Sequence, residues 1–101
     1  MADTLKKLTN GTLGTVNATL YTTPASTTTI VKSIIIANKT AVDATATITF
    51  NGTNIVPAHI VPANDSIPLQ LTAILDATTL IEGLSGTTAS IDYYISGIEV
   101  V

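Results

Sequence analysis

One histidine, seven carboxylates and no cysteine are all that this 101-residue chain has for acid–base, nucleophilic or metal chemistry. His59 stands between Ala58 and Ile60. As a catalytic base it would need a carboxylate to orient it, and Asp65 is the nearest in sequence; the favoured reading is a surface or interface histidine on a short strand. A zinc site takes several His, Cys or carboxylate ligands, and one histidine cannot supply it. Glu82 and Asp92 fall on consecutive predicted strands, where a carboxylate pair of the glycosidase kind is conceivable. Two outward charges on separate strands explain them more simply. Gly83-Leu84-Ser85-Gly86 has the wrong spacing for a GxSxG nucleophile elbow, and no Asp-x-Asp calcium loop is present. The sequence thus points away from an enzyme, and it assigns no catalytic residue, no metal and no cofactor.

Composition points elsewhere. Hydrophobic residues make up 46% of the chain and charged residues 11%, against about 25% charged in an ordinary domain. Thr, Ile, Val and Ala dominate, residues of which three suit a pleated, half-buried surface. Without cysteines no disulfide can stabilise so small a domain, so assembly with other subunits or a reducing compartment is expected. Four lysines, no arginine and a net charge of −3 argue against nucleic acid, which demands clustered cations. The longest apolar run, Ile34 to Ala37, is far below the roughly 20 residues of a membrane span. The opening MADTLKKLTNGT lacks the apolar run of a signal peptide, so neither a membrane partner nor signal-peptide export is expected. Five of the six asparagines (Asn10, Asn17, Asn38, Asn51 and Asn64) stand in N-x-Ser/Thr. Turn chemistry followed by a strand-starting Thr or Ser accounts for them without glycans.

The elements follow from a period of two. Residues 1–14 read as an N-terminal arm, either a frayed end or a segment that orders on a partner. Residues 15–101 read as a single β-sandwich domain. Strands are predicted from Thr15 to Leu20, Thr29 to Ala37 and Ala44 to Phe50. Asn51-Gly52 marks a type I′ hairpin, with the return at Thr53 to Val56, ended by Pro57. Further strands span His59 to Val61, Ser66 to Leu71, Thr79 to Leu84 and Ala89 to Val101. Thr72 to Ala77 reads as a helical turn or a loop, and Gly97, where the apolar period slips, as a β-bulge. Seven to eight short strands with a turn about every ten residues mean an all-β fold, an antiparallel β-sandwich of jelly-roll type.

Contact candidates come from the residues this fold does not absorb. Lys6 and Lys7 lie in the arm. Ile34, Ile35 and Ile36 form a run expected to be buried on both faces, one in the core and one against a neighbour. Tyr93 and Tyr94 point to opposite faces of one strand, so one leaves the core. A neighbouring subunit is the favoured contact for it, since aromatics are enriched at interfaces; a sugar is the alternative.

Several stretches carry a resemblance: Leu20-Tyr21-Thr22-Thr23-Pro24-Ala25, Thr29-Ile30-Val31-Lys32-Ser33-Ile34 and Ala37-Asn38-Lys39-Thr40, then Phe50-Asn51-Gly52-Thr53, Ile60-Val61-Pro62-Ala63-Asn64-Asp65-Ser66 and Asp92-Tyr93-Tyr94-Ile95-Ser96-Gly97. Together, over most of residues 20–97, they resemble small virion structural proteins of tailed bacteriophages. The resemblance implies a β-sandwich in the particle, made in the host cytoplasm. A capsid decoration (cement) protein is the expected role, bound to the major capsid protein and to copies of itself, with a homotrimer implied. A neck, baseplate or tail-fibre component and a carbohydrate-binding adhesion module are the alternatives.

Overall fold

The computed structural model describes residues 5–86 and 90–100. Among these, eight strands form: β1 (Leu5–Thr12), β2 (Ala18–Thr22), β3 (Thr28–Asn38), β4 (Ala44–Phe50), β5 (Thr53–Val61), β6 (Ser66–Leu75), β7 (Leu80–Ser85) and β8 (Ile91–Val100). Two antiparallel four-stranded sheets, ordered β1-β8-β3-β6 and β2-β7-β4-β5, pack face to face. Each strand of the first half pairs with its mirror image in the second: β1 with β8, β2 with β7, β3 with β6 and β4 with β5. The chain is therefore one long hairpin wrapped so that successive pairs land in alternate sheets. That is the jelly roll, an eight-stranded double Greek key.

The tip of this hairpin is Asn51-Gly52, with φ of 50° and 79°. Both residues are left-handed, as a type I′ turn requires, and Asn and Gly are the residues that accept it most readily. Asn64 (φ 54°) serves the β5–β6 turn in the same way. Asn38, at the end of β3, is buried and uses its whole amide: Nδ2 donates to the Val42 and Val61 carbonyls, and Oδ1 accepts from the Thr40 N–H and hydroxyl. A buried amide needs such partners to offset its desolvation, and these bonds fasten the loop after β3 to the end of β5.

The core lies between the sheets. Ala44, Ala46, Ile48 and Phe50 of β4, with Ile81 of β7, meet Val31, Ile34, Ile36, Ile91 and Ile95 of the first sheet, all buried. Each large side chain removed from water is worth about 1.5–3 kcal/mol. The threonines between them on β4, Thr45, Thr47 and Thr49, face outward and are only partly covered.

At one level the first sheet changes register. Leu8 is an extra residue on β1, opposite the Ile95–Ser96 step of β8, and Lys32 an extra residue on β3, opposite the adjoining Ser96–Gly97 step. On β6, Leu71 and Thr72 lie between the paired Gln70 and Ala73, against the single Lys32 of β3. Gly97 makes this possible: a Cβ there would sit 2.2 Å from the Ile30 carbonyl oxygen and 2.9 Å from Leu8 Cδ1. The bulged residues thus lie on the strands flanking Gly97. β8 itself keeps its phase, with Ile95, Gly97 and Glu99 on the inner face.

Other expectations shift for physical reasons. Residues 5–12, read as part of an arm, are an edge strand paired along its length with β8. β2 starts at Ala18, and Val16 stands exposed before it. Pro57 does not end β5; the strand runs on through Ala58 (φ 45°), whose N–H donates to Thr47 Oγ1. As an edge strand β5 tolerates a proline, and β6, the other edge on that side, carries Pro68. β6 continues to Leu75, so most of Thr72 to Ala77 is strand. Ala89 and Val101, expected at the ends of β8, lie outside the described residues, as do residues 1–4 of the arm.

Gly97→Ala is expected to cost about 1–3 kcal/mol, the range for forcing a methyl into a packed interior. Gly14→Ala, with nothing within 4 Å of the added Cβ, is expected to stay within about 0.5 kcal/mol of wild type. Urea denaturation of the two variants reads both, and equal stabilities would refute the role given to Gly97.

Candidate functional site

The acid–base candidates do not converge. Glu82 lies on β7 in the second sheet and Asp92 on β8 in the first. Each faces outward, so the two carboxylates stand on opposite sides of the sandwich and the conceivable pair does not form. His59 is exposed on β5 beside a small apolar groove of 190 Å³ lined by Ile36, Ile55, Pro57, Ile67 and Leu69. No group of three or more His, Cys, Asp or Glu among the described residues could hold a metal ion.

Convergence occurs instead on the outer face of the β1-β8-β3-β6 sheet. Cross-strand register sorts its side chains into rows. Thr12, Asp92, Ala37 and Ser66 form the first row, and Asn10, Tyr94, Ile35 and Pro68 the second. Lys7, Ser96, Ser33 and Gln70 form a polar third row. Beyond the bulge, Leu5, Ile98, Ile30 and Ile74 form a wholly apolar row across all four strands. Its two ends are open to water, Leu5 at 63% and Ile74 at 68% exposure. Short side chains leave depressions between the rows. One of 380 Å³ lies over Ala37, lined by Asn10, Thr12, Ile35, Asp92 and Tyr94. A broader one of 680 Å³ is lined by Leu5, Lys32, Ser33, Gln70, Thr72 and Ser96.

Two polar clusters fix the borders of this face. At one end Thr12 Oγ1 donates to Asp92 Oδ1 at 2.6 Å and Lys39 Nζ donates to the same oxygen at 3.0 Å. The Thr12 hydroxyl first, then Lys39, hold the Asp92 carboxyl below the usual carboxylate range. At the other end Lys6 Nζ donates to Glu99 Oε1 at 2.8 Å, and the Tyr21 hydroxyl donates to Glu99 Oε2. Tyr21 belongs to β2, so this cluster joins the two sheets and ties β1 to both. Lys6 first, then Tyr21, lower the Glu99 pKa. Burial first, then the Glu99 carboxylate, push the Tyr21 phenol up to about 12.

The contact candidates divide accordingly. Lys7, Ile35 and Tyr94 come together on the outer face, with Ile35 (43% exposed) and Tyr94 (45%) directly paired. Lys6 lies at the border, engaged by Glu99. Ile34 and Ile36 are corrected: both are fully buried between the sheets, because alternation along β3 sends only Ile35 of the three outward. Tyr93 points inward and packs on the core, its hydroxyl lying over Gly11. Sequence reading missed Leu5, Ile30, Ile74 and Ile98. Their signal was the odd spacing from Ile30 to Ile35, two outward residues on either side of a bulge. No protein-family model matches the chain, and none of the curated proteins matches it.

Ile34→Ala is expected to cost about 2–5 kcal/mol, and Ile35→Ser about 0.5 kcal/mol or less, as for a surface position. Thermal and urea melts of the pair check this. The polar clusters set a pH dependence. Glu99 and Asp92 have folded pKa values below their unfolded ones, so their contribution is present above about pH 4 and is lost as acid protonates them. Tyr21 has a raised folded pKa, so its contribution is intact below about pH 10 and vanishes as pH rises towards 12. Glu99→Gln should flatten part of the acid loss and Tyr21→Phe the alkaline loss. Unchanged slopes in urea midpoints at pH 3–5 and pH 9–12 would sink this assignment.

Proposed function

We propose that this chain is a non-enzymatic structural subunit of a virus particle, a capsid decoration (cement) protein. It binds and stabilises the assembled head of a tailed phage through the outer face of the β1-β8-β3-β6 sheet. The observation that carries this reading is the apolar row Leu5–Ile98–Ile30–Ile74. It lies uncovered on a sandwich whose own core is already supplied by the opposite face of the same sheet. Exposed apolar rows rimmed by polar residues mark interaction surfaces. The jelly roll supports the reading at the level of analogy, since it recurs in capsid and lectin domains, while a fold alone does not fix a function. The scattered carboxylates and the isolated His59 fit a binding role better than a catalytic one. The partners in this reading are the major capsid protein and other copies of the chain, arranged as a homotrimer, on the outer surface of the virion.

A second reading has one observation in its favour. Tyr94 borders the 380 Å³ depression together with Asn10 and Asp92, an aromatic face beside polar groups that a sugar ring could use. Glycan-array binding that disappears in Tyr94→Ala would move the assignment to an adhesion module.

The deciding measurement is the copy number of this chain in purified particles of the phage that encodes it, relative to the major shell protein. Hundreds of copies are expected for a decoration protein. A dozen or fewer would transfer it to the neck, baseplate or tail fibre, and none would overturn a role in the particle.

A further inference from the structure

The charges of this acidic chain are unevenly placed. All four lysines belong to the first sheet or its immediate end: Lys6 and Lys7 on β1, Lys32 on β3, and Lys39 one residue past β3. Within its strands Lys6, Lys7 and Lys32 outnumber Asp92 and Glu99 by one, and at its immediate ends Lys39 is accompanied by Asp65 and Asp76, on either side of β6. Asp43 immediately precedes β4, and Glu82 is on β7, both belonging to the second sheet. Lys6 and Lys39 are the lysines in ion pairs among the described residues. Lys7 and Lys32 are exposed, with Lys32 Nζ only reaching the Thr72 hydroxyl at 3.4 Å. These two cations flank the polar row Ser96–Ser33–Gln70, between the Tyr94–Ile35 row and the wholly apolar row.

From this placement we infer that the surface on which this face docks is an acidic protein surface, with carboxylates set to meet Lys7 and Lys32 and apolar ridges on either side. The inference rests on the docking role proposed above and names the chemistry of the partner. Three observations favour an acidic protein over the other occupants. Two unpaired lysines and no arginine are too few to hold nucleic acid against salt, and phosphates would leave Leu5, Ile30 and Ile74 unused. A second copy packed by the same face about an axis along the rows would set Lys7 against Lys7. The second sheet, the other flat surface a copy could present, offers Glu82 as the one acid on its strands, among threonines, Leu84 and the exposed Ile60. Complementary charge acts mainly on encounter rate and on the choice of partner, while the buried apolar contacts govern release.

The test is binding of the purified full chain to phage particles stripped of it, followed kinetically at 50 and 300 mM NaCl. The wild type should bind, more slowly at the higher salt. The double variant Lys7→Glu/Lys32→Glu should associate about tenfold more slowly at 50 mM and lose most of the salt dependence. Ile74→Ser should dissociate about tenfold faster, and Glu82→Lys, on the opposite sheet, should match wild type. All four changes are on partly or fully exposed positions, and circular dichroism confirms folding of each. Should the wild type bind and the double variant bind equally well, docking stands and the acidic partner is overturned. Loss of binding in Glu82→Lys alone would likewise overturn it. Failure of the wild type to bind would remove the decoration reading and this inference together. Sedimentation of the isolated chain and retention of duplex DNA complete the set: self-association or DNA binding that the double variant abolishes assigns the face to a second copy or to phosphates, and overturns the inference.

Discussion

The missing side chain at Gly97 is the constraint from which the first sheet takes its form. The Ile30 carbonyl lies where a Cβ on residue 97 would be. Around that close approach β1 and β3 carry extra residues at adjoining steps of β8, on either side of Ser96, and β6 has its own irregularity at Leu71–Thr72. Bulges increase local twist and re-aim the side chains beyond them. Here the re-aiming has one clear result. Along β3 the buried set is Thr29 and Val31 before the bulge, then Ile34, Ile36 and Asn38 after it. The outward set becomes Ile30, Lys32 and Ile35. A strand of unbroken alternation would have placed Ile30 on the same face as the buried Ile34 and Ile36, and the apolar row would not have crossed the outer surface.

Much of the sandwich is legible in the sequence because most of its strands obey one rule. Ala44 to Phe50 alternates without fault, and Asn51-Gly52 names both the turn and its type. The less legible parts are those where pairing outweighs local preference. Residues 5–12 have few large apolar side chains and look like a loose end, yet β8 offers a full ladder of backbone partners to them. Pro57 looks like a terminator, yet at a sheet edge its missing N–H costs little. The segment Thr72 to Leu75 has no decisive local signal, and β3 decides it. The outer apolar row is harder still. Tyr93-Tyr94 announces that one aromatic leaves the core, and the register picks Tyr94. Leu5, Ile98, Ile30 and Ile74 are spread across four strands, and only the pairing brings them into line.

The two outer surfaces of the molecule differ in kind. One sets threonines beside Glu82, Leu84 and Ile60; the other alternates apolar rows with serines, glutamine and lysines. They are not independent. Tyr21 reaches from β2 to Glu99 on β8, and Lys6 closes on the same carboxylate. The border of the lysine-bearing face is thus held by a phenol from the other sheet. An isolated surface ion pair contributes little, but this one is combined with a partly buried hydroxyl and links β1 to β8 and β2.

The free margins of the two sheets bear on how densely such molecules can be crowded. Chains rich in Thr, Ile and Val with little charge have the composition of cross-β fibrils, and an open strand margin is where fibril growth starts. In this fold β5 and β6 form one margin, and each is interrupted by a proline, Pro57 and Pro68. The opposite margin is the five-residue β2 and the lysine-bearing, bulged β1. Backbone pairing at either margin is thereby disfavoured. Even at high concentration each molecule is thus built to keep its own sheets and not to fuse with its neighbours into a continuous ribbon.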